Sequence, residues 1–224
     1  MKKKFLTSLA LTTTLITSVG TISTQAAVTS KDPHQVKSMI QQERKSISAD
    51  IVNKVAKEKG FPTVQESQIP TIKEVNNALA NIHVSKDNPK QTIDLGNGFQ
   101  ITAEVSESKN PTTLAASQSK TATGQINYSS YGVNWYSLKI SENFTYNGQK
   151  ITYHSPNISA NAYGFVGWDG NVTGKYISDI DPSAKDAIAD ASYKYLKLGG
   201  TGFGHIELRF TGTGNYYIHD SYFF

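Results

Sequence analysis

The sequence predicts a mainly β protein: a C-terminal antiparallel β-sandwich preceded by an N-terminal helical segment with a β-hairpin. Three observations carry this. All 12 tyrosines, both tryptophans and 13 of the 17 glycines fall between Gly124 and Tyr222, and aromatic side chains fit a pleated, half-buried surface. Apolar residues there alternate with polar ones at a period of two, as strands require. Upstream, residues 28–118 contain only two aromatics, Phe61 and Phe99, and their apolar residues recur at three and four, the helical spacing.

Residues 1–27 read as a secretory signal peptide. Lys2, Lys3 and Lys4 form its positive start, Phe5 to Ile22 an uncharged apolar stretch, and Ala26 and Ala27 the small residues of a cleavage site. Thr12, Thr13, Thr14, Thr17 and Ser18 break the stretch too often for a good membrane span. The chain is therefore expected outside the cell, with no stable transmembrane span after cleavage, and the lysine-rich start is compatible with a Gram-positive bacterium. Of 22 basic residues, 22 less 3 leaves 19 in the mature chain against 18 acidic ones. That near-neutral balance gives no electrostatic footprint for nucleic acid. The absence of cysteine excludes a disulfide scaffold, a thiolate zinc site and a cysteine nucleophile.

The mature chain divides into residues 28–105, 106–123 and 124–224. In the first, Asp32 and Pro33 are placed to start a helix. Val36, Ile40, Ile47, Ile51 and Val55 continue its apolar stripe, and Gly60 and Pro62 end it. A second helix is expected from Thr71 to about Ile82, with Thr71 and Glu74 as a capping box. Ile93-Asp94-Leu95 and residues 99–105 flank Gly96-Asn97-Gly98, a hairpin signal. Residues 106–123 are small and polar, read as a linker or exposed loop open to proteases. With such a linker, 28–105 reads as a possible leader or pro-segment.

In residues 124–224, Tyr136, Leu138 and Ile140 alternate with Ser137 and Lys139. Asn147-Gly148 turns the chain between Phe144-Thr145-Tyr146 and Ile151. Ala187, Ala189, Ala191, Tyr193 and Tyr195 share one parity, which favours a strand over an alanine helix. Ile206, Leu208 and Phe210 alternate with His205, Glu207 and Arg209, and Gly212-Thr213-Gly214 leads into a last strand.

Motifs for catalysis are missing. No serine sits in G-x-S-x-G, no H-E-x-x-H occurs, and Gly199 to Gly204 lacks the Lys-Ser/Thr of a phosphate loop. The expectation is a protein that is not an enzyme and carries no cofactor. His205 and Glu207 share a strand face, and His219 on the neighbouring strand extends the set toward a metal site or an acid–base pair. A polar outer sheet face explains them as well, and Arg209 opposes a cation. No metal is therefore assigned, with His205, Glu207 and Asp169 as the weaker candidates; Asp169-Gly170 reads equally as a turn.

The aromatics are the remaining signal, since they cannot all point inward. Adjacent pairs, Trp135-Tyr136 and Tyr216-Tyr217, send one ring to each face. Trp168, Phe165, Trp135, Tyr163, Tyr216 and Tyr217 are the candidate contacts, with the 164–170 stretch as the most loop-like. Exposed aromatics suit sugar stacking or a protein interface.

Phe144-Thr145-Tyr146-Asn147-Gly148-Gln149-Lys150-Ile151, Gly167-Trp168 and Gly214-Asn215-Tyr216-Tyr217-Ile218 loosely resemble small secreted Gram-positive β-sandwich proteins, including large bacteriocin-like proteins with a helical leader segment. The resemblance covers about half the chain and carries over no functional residue. It implies binding at a bacterial cell envelope, to a cell-wall polymer, glycan or surface receptor, with antibacterial action as an extension. The alternatives are a carbohydrate-binding or adhesion module, and a secreted hydrolase.

Overall fold

The computed structural model describes residues 44–109, 117–165, 168–195 and 201–223, without the side chains of Lys109, Trp168 and Tyr195. The expected signal peptide, the helix start at Asp32, the Gly199-Gly200 pair and Phe224 lie outside the described residues.

Helix α1 spans Ala49–Lys59. Ser48 caps it by accepting from the Ile51 N–H, Asp50 sits in the first turn and Lys57 and Lys59 in the last, each with the favourable sign for the helix dipole. Gly60 ends it at φ 72°, as its position predicts. Residues 44–48 are not helical, so the expected stripe is broken ahead of α1; Val36 and Ile40 lie outside the described residues. Ile47 is buried but precedes the cap, because the backbone ahead of it bonds elsewhere. Ser46 N–H donates to Pro70 O (3.0 Å) and Ile72 N–H to Arg44 O (2.8 Å). Helix α2, Ile72–Ala80, carries the predicted capping box: Glu74 N–H donates to Thr71 Oγ1 and Thr71 N–H to Glu74 Oε2. These hydrogen bonds hold the Glu74 carboxyl below its ordinary range.

Ten strands follow among the described residues: β1 Lys90–Gly96, β2 Phe99–Lys109, β3 Gln118–Ser130, β4 Val133–Tyr146, β5 Ile151–His154, β6 Ser159–Gly164, β7 Trp168–Asp181, β8 Ala184–Tyr195, β9 Thr201–Thr211 and β10 Tyr216–Phe223. The first sheet has the order β1-β2-β3-β4-β5, with β6 also paired to β4; the second is β10-β9-β8-β7. Every pairing among them is antiparallel. The expected β-sandwich and the expected strand over the alanine-rich segment are both present. At Gly96-Asn97-Gly98 all three residues take positive φ, which glycine and asparagine tolerate best.

Between the sheets lie Ile101, Ile126, Leu138, Ile140 and Phe144 from one side and Ala187, Ala189, Ile206, Leu208 and Phe210 from the other, all fully buried. Phe144 meets Phe210 at 4.7 Å and Tyr136 meets Tyr193 at 5.0 Å between ring centres. The sheets approach at one corner, where a Cβ on Gly170 would stand 2.7 Å from Ala162 O; only glycine allows that contact. The helical segment joins the same core. Tyr128 Oη and Ser46 Oγ share a hydrogen bond (2.7 Å), Tyr136 donates to Ser46 O (3.1 Å), and Phe223 N–H donates to Asn76 Oδ1 (2.8 Å).

The expected linker at 106–123 is a correction. Ser106 to Lys109 belong to β2 and Gln118 to Thr123 to β3, paired from Ser106↔Thr123 to Lys109↔Lys120. The stretch lacks large apolar residues because one side of it faces solvent and the other meets alanine and lysine. Lys120 is buried there. Its ammonium donates to Glu107 Oε2 (2.8 Å) and Gly214 O (3.0 Å) and lies over the rings of Tyr146 and Tyr216. No helix among the described residues is long and apolar enough to cross a membrane.

Candidate functional site

Each sheet presents one face to the core and one outward, and the two outer faces differ in chemistry. On the first sheet, the register lines side chains into rows across the strands. One row runs Thr92, Thr102, Asn127, Ser137, Tyr163; the next runs Lys90, Glu104, Gln125, Lys139, Asn161. Beyond them lie Ser106, Thr123, Ser141, Ser159, and then Ser119, Thr145, Tyr153. Hydroxyls and amides dominate, and they pair with one another. Thr92 meets Thr102 (2.9 Å), Thr123 meets Ser141 (2.8 Å), and Ser137 Oγ and Gln125 Nε2 both donate to Asn127 Oδ1 (2.6 and 2.9 Å). Tyr163 and Tyr153 stand at the edge of this face, 58% and 55% exposed.

On the second sheet the outer face is ionic. Its rows are Gly174, Asp190, His205, Tyr222; then Tyr176, Ile188, Glu207, Asp220; then Ser178, Asp186, Arg209, Tyr217. Arg209 donates through Nε and Nη2 to the two oxygens of buried Asp186 (2.7 and 2.8 Å). This two-pronged pair raises the guanidinium pKa further above its ordinary value. His205 is buried, its Nδ1 2.7 Å from Asp190 Oδ1 and its Nε2 3.2 Å from Glu207 Oε1. The Tyr222 ring lies flat on the imidazole, 4.5 Å away at 8°. A bulge between Ile218 and Asp220 brings both His219 and Asp220 next to Glu207.

The aromatic candidates divide. Tyr163 is exposed as expected, and Tyr217 is half-buried. Trp135 is a correction: it is 1% exposed, its Nε1 donates to Ser130 Oγ (2.8 Å), and Phe165 packs edge-on against it at 5.5 Å. Phe165 is itself partly buried against the core, with the Lys59 ammonium over its ring. Tyr216 is a second correction, buried as a wall of the Lys120 site, and burial raises its phenol to about 12. Of Trp135 and Tyr136, one ring does point to each side, but both are covered. The side chain of Trp168 and residues 166–167 lie outside the described residues. Asp169 is exposed and pairs in register with Lys194, away from His205.

Exposed Tyr153, Tyr176 and Phe203 complete the aromatic set. Their alternation within strands is visible in the sequence, but which face lies outward depends on pairing partners far along the chain. Glu142 carries no sequence signal at all. It lies on the inner face of β4, 1% exposed, with Oε1 accepting from Ser155 N–H (2.7 Å) and Oε2 without a hydrogen-bond partner among the described residues. Burial pushes its carboxyl up to about 7, and the Ser155 bond only partly opposes that. Comparison with family models, curated proteins and solved structures finds no match.

Proposed function

We propose that the protein is a secreted, non-enzymatic binder of a hydroxyl-rich polymer of the bacterial cell envelope, held on the outer face of the first sheet. The observation that supports this reading is the set of hydroxyl and amide rows crossing up to five strands, with exposed Tyr163 and Tyr153 along the same edge. Sugar rings present an apolar face that stacks on aromatic rings and a hydroxyl rim that exchanges hydrogen bonds with hydroxyls and amides. Tyr163 lies opposite Ser137 and Tyr153 opposite Thr145. Eight residues of β4 separate those positions, about 26 Å at the rise of a strand. The spacing suits an extended chain better than a single small sugar. Few formal charges stand on this face, so recognition is not built on a charged ligand.

Strands β1 and β2 contribute Lys90, Thr92, Thr102 and Glu104 to the face. Removal of residues 28–105 as a leader would withdraw them, so the binding form keeps that segment. Mass spectrometry of a culture supernatant that found only chains beginning near residue 118 would contradict this assignment.

The test is sedimentation with purified Gram-positive cell walls, run beside a growth-inhibition assay on related bacteria. The wild-type protein pellets with walls, and the Tyr153→Ala/Tyr163→Ala variant stays in solution. Growth inhibition that is lost with wall binding marks the bacteriocin-like branch; wall binding without inhibition marks adhesion. A wild-type protein that remains in the supernatant overturns the reading.

A further inference from the structure

We infer that the outer face of the second sheet holds one divalent transition-metal ion of the zinc type, ligated by His205 Nε2, Glu207 and Asp220, with the fourth position open. The inference does not depend on wall binding, since it uses the opposite face of the sandwich.

The geometry is built in four parts. One His205 nitrogen, one Glu207 oxygen and one Asp220 oxygen lie within 4.8 Å of one another; His219 belongs to a second set with Glu207 and Asp186, whose oxygens Arg209 already holds. The separation of His205 Nε2 and Glu207 Oε1, 3.2 Å, is close to the edge of about 3.3 Å that a tetrahedron with metal–ligand bonds of about 2.0–2.1 Å requires. Asp190 accepts from His205 Nδ1–H at 2.7 Å. That leaves Nε2 as the ligating nitrogen once an ion replaces its contact with Glu207, the carboxylate–histidine–metal arrangement. The Tyr222 ring sets the imidazole plane, and the bulge at His219 brings Asp220 beside Glu207.

Charge favours the ion. Asp186, Asp190, Glu207 and Asp220 supply four carboxylates to the patch against Arg209, and Arg209 is held on both Asp186 oxygens. Arg209 is therefore neutralised where it stands, away from His205. The imidazole among the donors favours zinc, nickel or copper over calcium and magnesium, which prefer oxygen alone. Without an ion, the same 3.2 Å contact is a hydrogen bond between His205 Nε2 and Glu207 Oε1, so zinc uptake separates the two arrangements.

The experiment is isothermal titration of EDTA-treated, full-length mature protein with zinc chloride at about pH 7.5, with cobalt(II) absorption as a spectroscopic check of imidazole ligation. The expected result is one zinc per chain. Binding weakens at least about tenfold in Glu207→Gln and in Asp220→Asn, about 10–100-fold in Asp190→Asn, and is unchanged in Asp169→Asn. Glu207 and Asp220 are at the surface, so these variants keep the fold, which circular dichroism verifies, even where His205→Asn does not. No zinc uptake by the wild type, or uptake unaltered in Glu207→Gln, overturns the inference.

Discussion

The two outer faces rest on similar backbones and do opposite things with polarity. The first sheet fills most of its outward positions with neutral groups that satisfy one another across strands, such as Thr123 with Ser141 and Ser137 with Asn127, and its charges are Lys90, Glu104 and Lys139. The second concentrates ionisable groups and buries some of them, with Asp186 and His205 almost wholly covered. Neutral pairs are individually weak and forgiving, whereas a covered charge depends on its partner. A strand ladder therefore supplies only the spacing, and side-chain chemistry decides whether a face can exchange partners with a polymer or is committed to its own network.

Breaking each face measures that difference. Arg209→Met is expected to cost about 3–5 kcal/mol in urea unfolding, because it leaves the Asp186 carboxylate covered and unpaired. Replacing both partners together, Asp186→Leu with Arg209→Met, recovers much of that loss. A full loss in the double variant would show that the guanidinium matters for packing instead of charge.

Glu142 sharpens the comparison from inside the sandwich, as a carboxyl with no counter-charge. Its ordinary pKa of 4.5 is raised to about 7 in the fold. The folded protein then binds the proton more tightly than the unfolded chain. The stabilisation is fully present below about 4.5 and is lost as pH rises through about 7. Each tenfold gain in proton affinity is equivalent to about 1.4 kcal/mol, so the full swing is at most about 3.5 kcal/mol. Glu142→Gln removes it, so the variant is more stable than wild type at about pH 8 and shows a flatter stability profile between about pH 4.5 and 7. Equal slopes in the two proteins would place the titrating group elsewhere.

On the first face the costs are smaller. Thr123→Val severs the hydroxyl pair with Ser141 at nearly constant shape and is expected to cost about 1 kcal/mol. Tyr153→Ala and Tyr163→Ala each change stability by no more than about 0.5 kcal/mol, because their rings contact solvent. A larger loss in thermal unfolding would mean that the rings belong to the core.

Much of the fold was legible because its signals are local. Thr71 with Glu74, Gly60, the Gly96-Asn97-Gly98 turn and the alternation at Ile206, Leu208 and Phe210 each act over a few residues. The failures were tertiary. The stripe that runs on to Ile51 and Val55 is interrupted ahead of Ser48 because the backbone of residues 44–46 bonds to residues 70–72. The supposed linker became a strand pair because its polar residues face solvent on one side. Trp135 looked like a free ring until Phe165, 30 positions later, covered it. His205, Glu207 and His219 were grouped by strand parity alone. Asp190, Asp220 and Tyr222 joined them through the β8–β9–β10 register and a bulge, which no short motif encodes.

In the proposed function the neutral face, not the ionic one, contacts the envelope. The most direct test is a wall-binding isotherm for the wild type, Tyr153→Ala/Tyr163→Ala and Glu207→Gln, each at low and high sodium chloride. Recognition by hydroxyls and rings predicts about tenfold or greater weakening in the tyrosine variant, equivalent to about 1.4 kcal/mol. It predicts wild-type affinity in Glu207→Gln and little change with salt, which screens charges and leaves neutral contacts intact. Binding that falls steeply with salt, or that is lost in Glu207→Gln and kept in the tyrosine variant, would contradict the account.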